Sequence, residues 1–260
     1  MTQPDRTQLA ERLGEQVKDE RPAEAVRTHL GMMTDRYVAT TSVQRMAEHL
    51  RLIGRLDETR VATQLFHHPD LGSSDLVVVT RDTPGLFALI AGTLASQGIN
   101  IISAQIATRA DGIAIDTFQV NEPTGEAITS RAQWSRTLEA LRAVLAEEQS
   151  MDALLDRRGE RLGLPPQSAP APPKIAVSNQ LSDTDTVIEV KCPDRVGLLY
   201  QITRTLSSLG LDISSARIAT EIDQAFDTFY VHDRSGMKLV EPDETERARA
   251  ALEQALRQPI

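Results

Sequence analysis

Two short stretches carry the residue types best suited to chemistry: Asp82-Thr83-Pro84-Gly85-Leu86 and Asp194-Arg195-Val196-Gly197-Leu198. Each sets a carboxylate three residues ahead of a glycine, where a β-branched run gives way to apolar residues at helical spacing. A helix N-terminus offers unpaired backbone N–H groups and a partial positive charge, which suits a carboxylate ligand. Gly85 and Gly197 have no Cβ, so a small molecule can come close to the backbone. Asp82 or Asp194 can face an ammonium group, and Asn100 or Asp212, opening the next strand, can add a hydrogen bond. A free amino acid carries both of those charges on one small molecule. The alternative is that Asp-x-x-Gly serves only as an N-cap and tight turn.

Other candidates are weaker. His67-His68-Pro69-Asp70 has metal-ligating residue types, but the pattern also suits a surface turn. Asp116 and Asp227 are in phase with Phe118/Val120 and Phe229/Val231, on the expected core face, and read as structural carboxylates that need a hydrogen bond or a nearby strand end. His232-Asp233 ends a strand and has no metal-spaced partners. Cys192, the one cysteine, reads as a small apolar strand residue. No Ser/His/Asp set, metal cluster, phosphate loop or cofactor motif stands out.

Composition narrows the classes further. The net charge of −9 and aromatic content of 3% argue against a phosphate-reading surface or base-stacking platform, so no nucleic-acid partner is expected. No apolar run approaches the roughly 20 residues that span a bilayer. Met1-Thr-Gln-Pro-Asp-Arg6 lacks a secretory layout. The expectation is a cytoplasmic protein without membrane contact.

The elements that must position these residues occur twice. Gly85 and Gly197 are 112 residues apart, and the same offset matches Ile90 to Ile202, Leu94 to Leu206, Gly98 to Gly210 and Ile106-Ala107-Thr108 to Ile218-Ala219-Thr220. Asp116-Thr117-Phe118 then meets Asp227-Thr228-Phe229 with one residue deleted. In the first copy, residues 59–66 alternate with a period of two and residues 75–80 are a β-branched run buried on at least one face, giving two strands of a hairpin. Thr83 as N-cap and Pro84 at the first helical position open a helix that stops at Gly98. Residues 100–108 and 113–120 form strands around Asp111-Gly112, and an amphipathic helix with Trp134, Leu138, Leu141 and Leu145 covers 129–148. The second copy repeats this from Lys174, with Asp194 as N-cap.

Ahead of the repeat, three helices are expected in residues 1–56, with stripes Leu9/Leu13/Val17, Ala25/Leu30/Met33 and Val43/Met46/Leu50/Ile53. Thr41 or Ser42 caps the third and Gly54 ends it. Their apolar face needs a partner. Residues 151–172, with Arg157, Arg158, Arg161 and four prolines, read as a stiff linker. The organisation is thus a helical segment 1–56, module 57–150, linker 151–172 and module 173–260. The class is α+β: two ferredoxin-like modules, each circularly permuted as ββαββα, in which the strand that usually closes the sheet comes first.

The paired Asp-x-x-Gly-Leu turns, the helix ending at glycine, Asn100 or Asp212 at the next strand and the Asp-Thr-Phe strand resemble ACT domains, amino-acid-sensing modules of metabolic enzymes and regulators. The tandem pair, with Met33-Thr-Asp-Arg-Tyr37 and Met46-Ala-Glu-His-Leu-Arg-Leu52 ahead of it, resembles the C-terminal end of bacterial PII uridylyltransferase/uridylyl-removing enzymes. That resemblance implies ligands where two modules meet, contacted at Asp82, Gly85, Leu86 and Asn100 or at Asp194, Gly197, Leu198 and Asp212. It also implies glutamine as the amino acid, nitrogen metabolism as the setting, a homodimer through the modules, and a catalytic or PII-type protein partner. The family's catalytic motifs are not found: Gly72-Ser73-Ser74-Asp75 lacks the second carboxylate of a transferase metal pair. The expectation is a non-catalytic amino-acid-sensing regulator. The alternatives are a separated regulatory portion of the uridylyltransferase, or a tandem-ACT transcriptional modulator acting through a protein partner.

Overall fold

Four helices precede the first strand: α1 (Arg6–Val17), α2 (Ala23–Met32), α3 (Asp35–Thr40) and α4 (Val43–Ile53). The structure, a computed structural model, describes residues 6–56, 59–162, 172–221 and 224–258. Helix α3 departs from the three-helix expectation. Six residues make under two turns, too few for an apolar period to show, and Thr34 starts it by accepting from the Tyr37 amide at 3.3 Å. Ser42 caps α4 through the Arg45 amide at 3.2 Å, as its residue type suggests.

The described chain divides into two compact units. The first takes the chain up to Phe66 with Leu76–Asp82 and Ile106–Thr117; the second takes His67–Asp75, Thr83–Gln105 and Phe118 onward. In the first unit the helices find the partner that their apolar stripes require. Leu13, Val17, Val26, Leu30, Met46, Leu50 and Leu52 share one core with Ala62, Val77, Val79, Ile113 and Ile115. Leu13, Met46 and Leu52 are fully buried, each contributing about 1.5–3 kcal/mol of hydrophobic stabilisation. The strand residues in this core belong to β1 (Val61–His68), β2 (Ser73–Arg81) and β4 (Ile113–Asn121); β2 and β4 are buried through Leu76–Thr80 and Ile113–Asp116, while β1 is buried only at Val61 and Ala62.

The remaining elements are α5 (Leu86–Ser96), β3 (Asn100–Thr108), α6 (Arg131–Leu145), α7 (Met151–Leu162), β5 (Lys174–Ser178), β6 (Thr186–Pro193), α8 (Leu198–Ser208), β7 (Leu211–Arg217), β8 (Thr220–Glu221), β9 (Gln224–Asp233) and α9 (Pro242–Leu256). The hydrogen-bonded strand order is β1-β2-β4-β3-β7-β9-β6-β5, with β8 on β9. In the second copy the order β7-β9-β6-β5, antiparallel throughout, is the permuted ferredoxin-like sheet. Ala225, Asp227, Phe229 and Val231 of β9 alternate as buried residues, which fixes the register of the strand. The short β8, pairing Thr220↔Ala225 and Glu221↔Gln224, is an addition to the six elements expected.

Residues 151–162 correct the linker reading. They form α7, whose Met151, Leu154 and Leu155 are buried with Ala88, Val144 and Tyr200. Helix α5 is accordingly buried nearly all round, packing on α6, α7 and α8. Gly92 allows this contact, since a Cβ there would lie 2.6 Å from Met151 Sδ. The matching position in α8 is Arg204, which faces Asp152 of α7 at 3.7 Å instead. Pro165, Pro166 and Pro170 lie outside the described residues, as do the side chains of Arg158 and Arg161. No described helix is long and apolar enough to cross a membrane.

Candidate functional site

Both Asp-x-x-Gly turns adopt one backbone solution. Gly85 and Gly197 stand immediately before α5 and α8, each with φ +79°, a left-handed conformation that side-chain-bearing residues rarely take. The Leu86 amide bonds Thr83 O at 3.0 Å and the Leu198 amide bonds Arg195 O at 3.1 Å. Leu86 and Leu198 are buried anchors. The first helical amides beyond each glycine have no partner within the helix, by the geometry of any helix start.

This corrects the capping expectation. Neither Thr83 nor Asp194 is an N-cap, and Pro84 precedes the helix rather than opening it; the glycines occupy the cap position without a side-chain bond. The aspartates turn to a threonine on the strand side instead. Asp194 is exposed, accepting from the Arg195 amide at 2.8 Å and from Thr220 Oγ1 at 3.0 Å. Asp82 is exposed and meets Thr108 Oγ1 at 3.5 Å, while its own amide bonds Gly112 O at 2.9 Å.

Asn100 and Asp212 are exposed at the heads of β3 and β7. These strands pair antiparallel through Ser103↔Arg217, Ala104↔Ala216 and Gln105↔Ser215, and the Ile218 amide bonds Ile102 O at 2.9 Å. Gly85 has a neighbour from the other copy: a Cβ there would lie 3.8 Å from Ser207 Oγ.

Behind the exposed aspartates lie the buried ones. Asp116 and Asp227 sit on the core face as their phase requires, but neither carboxyl is fully satisfied. Asp227 accepts from the Ala219 backbone amide, yet Oδ1 of both residues has no partner. Burial, reinforced by Asp194, pushes Asp227 up to about 7, and burial with Asp82 raises Asp116 well above the carboxylate range. Cys192, also buried, has its thiol pushed up to about 11 by burial and Asp227, so it is a poor nucleophile at neutral pH.

The histidine pair does not converge on a metal. His67 Nδ1 meets Ser74 Oγ at 3.1 Å and His68 Nε2 meets Asp75 Oδ2 at 3.2 Å, across the hairpin; no metal-ligating group of three occurs among the described residues. His232 bonds its neighbour's backbone, and Asp233 accepts from the Ser235 and Met237 amides in a turn.

Three polar features were not read from the sequence. Thr108 and Thr220 sat inside the repeat as a matching pair, which was their signal. Arg195 reaches the carbonyls of Leu256 and Gln258, at 3.4 and 3.2 Å, at the C-terminal end of α9; threonine occupies its place in the first copy. His29, Tyr37 and His49 form a buried chain in the first unit, with Tyr37 Oη 3.1 Å from His29 Nε2 and 2.8 Å from His49 Nδ1.

Known proteins resemble this chain in the same regions. Residues 74–133 match the ACT domain family, and residues 174–260 match the family described as ACR9-like, ACT-like domain. The bifunctional uridylyltransferase/uridylyl-removing enzyme of Rhodospirillum rubrum is 38% identical over 219 residues, 82% of this chain and 23% of that enzyme. Enzymes of the same description from Gluconobacter oxydans and Bradyrhizobium sp. are 36% and 31% identical, over 78% and 89% of this chain and 22% and 25% of their own lengths. The chain thus spans about a quarter of the length of these curated relatives. With two ACT-type domains laid on two copies of one ββαββα plan, the chain is a tandem ACT-domain protein resembling the C-terminal region of bifunctional uridylyltransferase/uridylyl-removing enzymes.

Proposed function

We propose that this chain is a non-catalytic regulatory protein that binds a free amino acid at its Asp-x-x-Gly turns. The observation that carries the reading is the pairing, twice over, of an exposed threonine-held aspartate with a helix that begins at a left-handed glycine. The aspartate receives the ammonium group, and the first helical amides of α5 or α8 receive the carboxylate. Asn100, exposed at the head of β3, can add a hydrogen bond to the ligand. Leu86 and Leu198 hold the helix starts in place, and Asp212 is the remaining polar candidate. Glutamine is the first amino acid to test, by resemblance to the uridylyltransferase relatives. Binding would favour one pairing of the modules, within the chain or in a homodimer, and a protein partner would read out that choice.

Isothermal titration with the twenty amino acids tests the proposal, with Asp82→Ala and Asp194→Ala as controls. The expected result is binding of one or a few amino acids, weakened at least tenfold by either substitution at its own turn. An absence of heat at millimolar concentrations overturns it.

A second reading is that the chain acts as the regulatory portion of a uridylyltransferase, together with catalytic domains and a PII-type partner. Its support is that the matched region is about a quarter of each relative. Co-purification with a chain bearing nucleotidyltransferase motifs favours this reading over a free-standing sensor. The tandem-ACT transcriptional modulator has no comparable observation in its favour.

A further inference from the structure

The buried aspartates have a feature that a purely structural role leaves unexplained. Asp227 is 2% exposed and Asp116 is 1% exposed, and in both the Oδ1 atom has no hydrogen-bond partner. A structural carboxylate in a core is held by donors on both oxygens, because an unsatisfied buried anion costs several kcal/mol. Here a carboxyl with an unpartnered oxygen occurs at the same repeat position in both copies, and the aspartate of the turn acts electrostatically on each.

The second copy shows how the two carboxyls are tied together. The dipeptide Ala219-Thr220 serves both: the Ala219 amide donates to Asp227, and Thr220 Oγ1 donates to Asp194 at 3.0 Å. Asp194 and Asp227 each act on the other's side of this clamp, one exposed and one buried. In the first copy Thr108 meets Asp82, and Asp82 acts electrostatically on Asp116. Two adjacent carboxyls of this kind hold both negative charges only at high cost. They are stable with one positive charge between them, supplied either by a proton or by a cation.

We propose that Asp194 with Asp227, and Asp82 with Asp116, are two-carboxylate seats for a primary ammonium group, and that the buried carboxyl releases its proton to solvent as the ammonium settles at the exposed one. The inference rests on the ammonium reading of the turns and adds a residue and a proton to it. Only a proton moves: the buried –COOH becomes –COO⁻, and the arriving ammonium balances the new charge. The groups that act on Asp227 are Asp194 from the turn and the Ala219 amide from the β7–β8 connection, and Asp227 in turn acts on Cys192 of β6, where Arg195 opposes it. Cys192 stays a neutral thiol near pH 7, and Arg195 is engaged with the end of α9. Asp194 is the group whose neutralisation changes the field at Asp227. A neutral or anionic ligand lacking an ammonium group has no means of displacing the proton.

The test is calorimetric titration of the whole chain with L-glutamine, then with the other amino acids, at pH 7 in phosphate and in Tris. These buffers differ strongly in ionisation enthalpy, so proton release appears as a difference in apparent enthalpy. The expected release is on the order of half a proton per occupied second-module site, since Asp227 titrates near neutrality. Affinity should also tighten between pH 6 and 8 as the buried carboxyl becomes easier to ionise. Asp116→Asn with Asp227→Asn should weaken binding severalfold and abolish the release, so that whatever binding remains shows equal enthalpies in the two buffers. Equal enthalpies in both buffers for the unaltered chain, or release that persists in the double variant, overturns the proposal while leaving amino-acid binding intact. No heat with any amino acid overturns the underlying reading and this one with it. Should the double variant fail to fold, the two-buffer comparison and pH profile of the unaltered chain decide the matter alone.

Discussion

Thr220 Oγ1 donates to Asp194 Oδ2 at 3.0 Å, and its counterpart in the repeat, Thr108 Oγ1, meets Asp82 Oδ2 at 3.5 Å. The threonine fixes the aspartate on the strand side, so that its carboxylate is not spent on capping the helix. The helix start is left to a left-handed glycine, with no side-chain bond at the cap position.

Thr220→Val keeps the shape of the side chain and removes the hydroxyl. Stability should fall by about 0.5–1.5 kcal/mol, the usual net worth of one hydrogen bond. Affinity at the second turn should fall several-fold because Asp194 loses its orientation. Thr108→Val should cost less on both counts, since a 3.5 Å contact is at the weak end of the range. Urea midpoints and calorimetric affinities on the two variants check the order of effects.

Asp227→Asn should stabilise the protein increasingly as pH rises. The folded carboxyl titrates near 7, above its ordinary 3.8. A raised folded value means that its contribution is fully present below about 3.8 and is lost as pH climbs to about 7, at about 1.4 kcal/mol per pH unit. Asparagine does not titrate. Between pH 5 and 7 the variant should therefore gain roughly 2–3 kcal/mol on the unaltered protein. Paired urea unfolding curves measure this, and a gap independent of pH would show that Asp227 carries no proton in the fold.

What could be read from the sequence was whatever left a period or a repeat. The 112-residue offset exposed both copies, and alternation on the Asp227, Phe229 and Val231 face placed their strands and buried carboxylates. Gly98 and Gly210, both at φ +74°, end their helices as their type suggests. The failures have physical causes. Asp194 satisfies the residue preferences of an N-cap, but that role depends on where the helix begins, and the left-handed Gly197 sets the start three residues later. Helix α7 was missed because its few apolar residues, Met151, Leu154 and Leu155, sit among charges, and the surface they cover is made by α5, α6 and α8. The bond between β3 and β7 left no local signal, because it joins residues far apart in the chain, such as Ser103 and Arg217.

Leu155→Ala should show that α7 belongs to a core and is not part of a tether. Leu155 is 4% exposed and packs with Met151, Leu154, Ala88 and Tyr200. Truncating a buried leucine leaves a cavity that neighbours fill only partly, at a cost of about 2–5 kcal/mol. An exposed linker leucine would cost almost nothing. Thermal or urea unfolding distinguishes these outcomes, with Asp156→Ala, an exposed change on the same helix, as the control.

The chain His29–Tyr37–His49 should make the first unit sensitive to acid. Both imidazoles are buried, and burial holds each down at about 3 from an ordinary 6.5. One hydroxyl joins two rings, so the chain orders itself with a donor pointing one way along it; either order leaves His29 Nδ1 and His49 Nε2 without partners. Protonating either ring would bury an unpaired charge. Because the folded values are depressed, their stabilising effect is complete above about 6.5 and is lost as pH falls toward 3, at about 1.4 kcal/mol per unit for each histidine. His49→Gln keeps a polar side chain that cannot titrate. The unaltered protein should be the more stable of the two at pH 7.5, and its lead should shrink by about 1.4 kcal/mol for each unit below 6.5. Urea midpoints from pH 7.5 to 5 provide the comparison, and because both proteins keep Asp116 and Asp227, the opposing contribution of the aspartates cancels in the difference. A lead that holds constant down to pH 5 would mean that His49 is already open to protons in the folded state.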